Sequence, residues 1–207
     1  MELNQKLFKA RWWLLALIVF LQIIILSLSP DERTLGVGIR PVYLHVSLTW
    51  TGMVMIFITA VLGLVVLKSG SRKLVGWQRS FLLSSIWFYG IGFLISMYAS
   101  WVNWGGIPIQ EPRIQGAINV LVAAIAVWVL RELVTNSRIQ GGVGLIPTAF
   151  MLMMGRSSRM VLHPDNPVAT SPFSIRITFL VMFALAILLS IWFLWVQRQN
   201  RNLASVD

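Results

Sequence analysis

Long apolar runs separated by short, mostly basic loops constrain this chain more than any other feature. The stretch "FSIRITFLVMFALAILLSIWFLWV", residues 173–196, carries a single charge, Arg176. A run of about 20 apolar residues is what an α-helix needs to cross roughly 30 Å of hydrocarbon. Such runs recur along the chain, and 57% of its 207 residues are hydrophobic while 12% are charged. A soluble domain carries about 25% charged residues. The fold class expected is therefore all-α, a polytopic membrane helical bundle forming one domain over residues 1–207. Six transmembrane helices are expected: Trp12–Leu28, Tyr43–Leu67, Ser80–Val102, Ile114–Leu130, Ile139–Met154 and Phe173–Val196. The fifth is short and contains Pro147. The first run is followed by the polar "SLSPDERT" rather than a small-residue cleavage site, so it reads as a retained helix.

The formal net charge is +10, from 17 Lys+Arg against 7 Asp+Glu. In a soluble chain such an excess would suggest nucleic acid; here membrane topology accounts for it, and no nucleic-acid partner is expected. Alternate loops differ in their cations. One set holds Lys6, Lys9, Arg11, Lys68, Arg72, Lys73, Arg79, Arg131, Arg138, Arg198 and Arg201; the other holds Arg33, Arg40, Arg113, Arg156, Arg159 and Arg176. Basic loops stay in the cytoplasm. Both termini are thus expected on the cytoplasmic side, an N-in, C-in arrangement that an even number of spans also requires.

Candidate chemistry is sparse. Cysteine is absent, which excludes disulfides, thiolate metal sites and covalent haem attachment through sulfur. The HExxH, GxxxxGK[ST] and GxSxG patterns are missing, as are paired carboxylates, so hydrolytic and nucleotide chemistry has no candidates. A proton or ion pump usually shows carboxylates at mid-membrane depth, and the apolar spans have almost no ionisable groups. No enzymatic activity is expected. Two histidines remain, His45 and His163, and the topology puts both on the non-cytoplasmic side. Neutral imidazole is a common metal and haem-iron ligand; the residues alone favour the plainer reading of each ring as an interfacial histidine with its polar edge in water. Trp101 and Trp104, in the loop "SWVNWGGIPIQEPRIQG", suit either a membrane-interface belt or a stacking surface for a flat ligand. Arg113, Arg156, Arg159 and Arg40 run against the inside bias. An arginine fork can pair with a carboxylate such as a haem propionate or snorkel to lipid headgroups.

The order of these residues resembles the cytochrome c assembly family of haem-handling membrane proteins, most closely its CcmC-type members. The family pattern "Y-x-H-V-P-x-A-W" is similar to "YLHVSLTW", matching at Tyr43, His45, Val46 and Trp50. Its loop "W-G-T-x-W-x-W-D-x-R" is similar to "WGGIPIQEPR", matching at Trp104, Gly105 and Arg113, with Glu111 at the aspartate. Its "W-W-N-T-L-H" is similar to "SRMVLH", matching at Leu162 and His163. Pro108, Gln110, Ser158 and Arg159 stand where the family has tryptophans, and Ser47 replaces a proline. The likeness runs in order and spacing from residue 12 to 200. It implies a b-type haem, held without covalent bonds between His45 and His163 as axial ligands. Trp101 and Trp104 would be what is left of the stacking platform, and Arg113 and Arg159 would lie beside it. It further implies a role in cytochrome c-type biogenesis and haem transport. The expected partners are haem itself, the lipid bilayer, an ABC-transporter ATPase with its membrane subunits, and a haem chaperone. The setting implied is the plasma (inner) membrane of a prokaryote or the inner membrane of an organelle. The competing expectation is a divergent, haem-free scaffold or permease-like subunit.

Overall fold

A computed structural model describes the backbone of residues 2–157 and 167–204, and side-chain surroundings for residues 11–153 and 168–199. Helices account for nearly all of it: α1 (Glu2–Leu28), α2 (Ile39–Ser69), α3 (Arg72–Trp104), α4 (Pro112–Leu130), α5 (Ser137–Val143), α6 (Ile146–Ser157), α7 (Pro167–Thr170) and α8 (Phe173–Ala204). Five stretches are long and apolar enough to cross a membrane: Arg11–Leu28, Ile39–Ser69, Arg72–Trp104, Pro112–Leu133 and Phe173–Gln199.

The boundaries have local causes. Gly70 and Gly105 close α2 and α3 in the left-handed conformation, φ 67° and 71°, and return their N–H groups to Val66 and Trp101. Only glycine adopts that conformation at no steric cost. Pro112 opens α4 at a position whose N–H would have no helical partner. The expected fifth span, Ile139–Met154, is instead two short helices, α5 and α6, parted at Gly144 and Leu145. Gly141, Gly142 and Gly144 are weak helix formers, and a continuous helix would drive the Pro147 ring into the carbonyl of Val143.

Packing rests on close backbone approach. In a membrane, lipid tails are as apolar as leucine, so small residues and interhelical hydrogen bonds hold helices together. The antiparallel pair α2 and α3 meets at glycines. A Cβ on Gly52 would lie 2.6 Å from the Tyr89 nitrogen, and one on Gly92 would lie 2.8 Å from the Thr49 nitrogen. Asn103 Nδ2 donates to the Gly38 carbonyl at 2.9 Å. Buried Ser47, Thr51, Thr59, Ser80, Ser84, Ser85 and Ser190 donate to carbonyls three or four residues back in their own helices. These hydroxyls are satisfied and take little space.

Helix α8 runs parallel to α2, with Tyr43 against Phe179 (4.6 Å between ring centroids) and Trp50 against Phe183 (5.7 Å). Helix α1 leans on α8. Trp12 meets Trp192 edge-on, Trp192 Nε1 donates to the Arg11 carbonyl at 2.7 Å, and Arg11 bonds Gln199. The start of the α1 span and the end of α8 therefore share one end of the bundle. That end, called the basic end below, also holds the α2–α3 turn and the 3-10 turn Arg131–Leu133 that follows α4. There Arg79 pairs with Glu132 at 3.0 Å and Arg131 donates to the Val75 carbonyl. The opposite, tryptophan end holds Gly38, Trp104, Pro112 and Phe173.

Helices α5 and α6 carry the chain back from the basic end. Gln78 of α3, 0% exposed, spans the contact: its Nε2 donates to the carbonyls of Thr59 on α2 and Gly141 on α5, at 3.3 and 3.2 Å. Gly63 and Gly144 leave room for it, since a Cβ on Gly63 would meet Gln78 Nε2 at 2.7 Å, and Gly141 lets the α5 backbone reach the Gly63 carbonyl, 2.9 Å from where its Cβ would stand. Thr148 of α6 donates to the Ile56 carbonyl at 3.1 Å.

Candidate functional site

The α1–α2 loop frames the tryptophan end. The Glu32 carboxylate accepts from the N–H groups of Thr34 (2.7 Å) and Leu35 (2.9 Å) and from the Thr34 hydroxyl. These bonds, the Thr34 side chain foremost, hold its carboxyl below the usual carboxylate range. Arg40 approaches Asp31 at 3.9 Å. Tyr43 is fully buried and its hydroxyl donates to the Pro30 carbonyl at 3.0 Å, which ties the loop to α2.

His45 sits in the second turn of α2, half-buried, with Nδ1 shielded from solvent. Its depth relative to the tryptophans follows from the helix register. Gly38 faces Asn103, Thr49 faces Gly92 and Gly52 faces Tyr89, which puts Ser96 level with His45. At 1.5 Å per residue, Trp101 and Trp104 lie about 8 and 12 Å farther out along the axis. Both indoles are exposed, Trp101 at 60% and Trp104 at 43%. Tyr98 lies 6.5 Å from Trp101, centroid to centroid. Trp104, Gly106, Ile107 and Pro108 line an open cavity of about 310 Å³. Beyond it, Glu111 is buried and Arg113 is exposed in the first turn of α4.

His163 and Arg159 lie outside the described residues. Their flank is informative. Val168, five residues beyond His163, packs on the cluster of Ile39, Tyr43, Ile175, Phe179 and Met182. Tyr43 stands two residues before His45. Tyr43 and Val168 thus meet in one cluster at the tryptophan end.

Of the residues expected to act together, His45, Trp101, Trp104 and Arg113 share this end of the bundle. The indoles form an outer tier and the imidazole an inner one. Tyr43 and Trp50, which also carry the family resemblance, are engaged in packing against α8. Sequence reasoning missed Gln78, because the third span was expected to begin at Ser80. The helix begins at Arg72, after the N-cap Ser71, and that serine was the available signal. No protein-family model matches the chain, and no curated protein matches it. What the fold itself defines, among the described residues, is an all-helical protein with five helices long and apolar enough for a membrane.

Proposed function

We propose that this chain is an integral membrane protein of cytochrome c assembly that holds haem between His45 and His163 and presents it to a partner. The observation that carries this reading is that Tyr43 and Val168, two residues before His45 and five residues after His163 in the sequence, pack in one cluster. In this reading the chain crosses the bilayer six times, with the α5–α6 segment as the fifth crossing. The basic end, with both termini, faces the cytoplasm of a prokaryote or the matching side of an organelle inner membrane, in line with the loop cations.

The described residues fit a b-type haem in kind. His45 is held at the second turn of a rigid helix by α3 packed beside it. The exposed indoles offer stacking faces, and Arg113 is exposed and able to meet a propionate. His45 and His163 would hold the iron, and Trp101, Trp104, Arg113 and Arg159 would help to hold the rest of the group. When bound, the haem supplies the iron chemistry; the protein contributes ligands, orientation and exclusion of water. No catalytic residue is assigned. An ABC-transporter ATPase, its membrane subunits and a haem chaperone are the partners this reading carries with it.

The test is spectroscopic. Full-length protein in detergent, titrated with hemin, should develop a Soret band, and His45→Ala or His163→Ala should weaken uptake at least about tenfold. The second reading is a haem-free scaffold. It is favoured by the use of Tyr43 and Trp50 in packing. A colourless, folded preparation that takes up no added hemin would establish it over the first.

A further inference from the structure

We infer that the basic end carries a specific site for the headgroup of an anionic phospholipid, built around the α2–α3 turn and independent of the haem reading. The cations come from three elements. Arg72 and Lys73 are the first two residues of α3, and both are exposed. Arg138 of α5, also exposed, lies against the turn, its Nε 3.5 Å from where a Cβ on Gly70 would stand. Arg198 of α8 lies over the second turn of α3, its guanidinium carbon 4.4 Å from the centre of the Trp77 ring. Among the described side chains, the carboxylate at this end is Glu132, and Arg79 holds it at 3.0 Å.

Bulk topology accounts for cations at this end but not for their placement. Lys68 sits in the last turn of α2, where the helix dipole favours positive charge. Arg72 and Lys73 occupy the opposite position, the first turn of a 33-residue helix, with no acidic residue there. Ser71 caps the Leu74 N–H, and the dipole with the remaining N–H groups of that turn favours an anion and disfavours two cations. A local rule broken in this way marks a functional position, and a phosphodiester among the three exposed cations resolves the conflict. Trp77 places the cluster at headgroup depth, where indoles collect. Basic residues at that level attract anionic lipid. A lipid also brings acyl chains to the apolar flank beside the cations, which a free phosphate does not.

The experiment equilibrates the full chain in detergent with equimolar phosphatidylglycerol and phosphatidylcholine and counts retained lipid by native mass spectrometry. Phosphatidylglycerol should be retained about tenfold over phosphatidylcholine. The triple variant Arg72→Gln, Lys73→Gln, Arg138→Gln should lower that ratio to near one, whereas Arg33→Gln with Arg113→Gln, at the other end, should leave it unchanged. These side chains are exposed, and an unaltered unfolding temperature checks that the fold survives. Millimolar inorganic phosphate should not displace the lipid. Equal retention of the two lipids, a preference that survives the triple variant, an equal loss in the control pair, or displacement by phosphate would each overturn the proposal.

Discussion

The α2–α3 pair and the α5–α6 segment solve the same problem, joining apolar helices, in different ways. The first two helices are continuous, and glycines let their backbones touch over most of their length. The other segment is broken. Gln78 and Thr148 tether it at two points, and backbone contact with α2 centres on Gly63 and Gly141, beside the buried amide. Backbone contact makes a rigid scaffold with many interchangeable small terms. Tethering concentrates the attachment in a few named hydrogen bonds, and a helix break inside a bilayer is tolerated where protein groups satisfy it.

The largest test of this contrast is Gly52→Leu. With Tyr89 backbone already 2.6 Å from a bare Cβ, the helices must separate, at a cost of about 3 kcal/mol, the upper end for overpacking. Detergent-solubilised variant should show a much lower unfolding temperature and loss of monodispersity; near-wild-type behaviour would mean the pair is not held by close approach. Next is Gln78→Leu, with an expected loss of about 1–2 kcal/mol. Hydrogen exchange should rise in residues 137–150 and stay flat in α2 and α3. A uniform rise would dissolve the distinction between scaffold and tether. Thr148→Val removes one hydroxyl bond and should cost about 0.6 kcal/mol, seen as a small shift in denaturant midpoint confined to the α6 amides.

The smallest effect belongs to a third kind of join, the α1–α2 loop, which is held by a carboxylate. The Glu32 carboxyl sits below its usual range when folded, because of bonds from Thr34 and Leu35. Its contribution is therefore fully present above the unfolded carboxylate pKa and is lost as pH falls through the lower folded value. Wild type should keep a small, constant advantage in unfolding temperature over Glu32→Gln from neutral pH down to about pH 5. The two curves should then merge under more acidic conditions. Curves that stay parallel throughout would remove the carboxylate from the account.

Much of the helical architecture was legible in the sequence because apolar length is a one-dimensional quantity. Four of the expected spans lie inside α1, α2, α3 and α4, and the last lies inside α8. The fifth was misread as one helix. The residues that break it, Gly144 and Pro147, were visible, but the tether that makes the break tolerable comes from Gln78, roughly 60 residues earlier. The register of α2 on α3 was equally hidden, since it depends on which glycines face each other in space. At the candidate site the sequence located His45 and the tryptophans at one end. It could not show that the imidazole lies a turn or two below the indoles, because that depth follows from the same register.

The lengths of α2 and α3 have one more consequence. At 1.5 Å per residue, 31 and 33 residues extend about 46 and 50 Å, well beyond the ~30 Å of hydrocarbon and close to the ~40–45 Å of a bilayer counted from one headgroup surface to the other. Tilting alone would need an inclination steeper than the 0–40° that membrane helices adopt. The welded hairpin is therefore long enough to act as a strut through the whole thickness of a bilayer, where its two tips would stand among polar headgroups rather than beneath them.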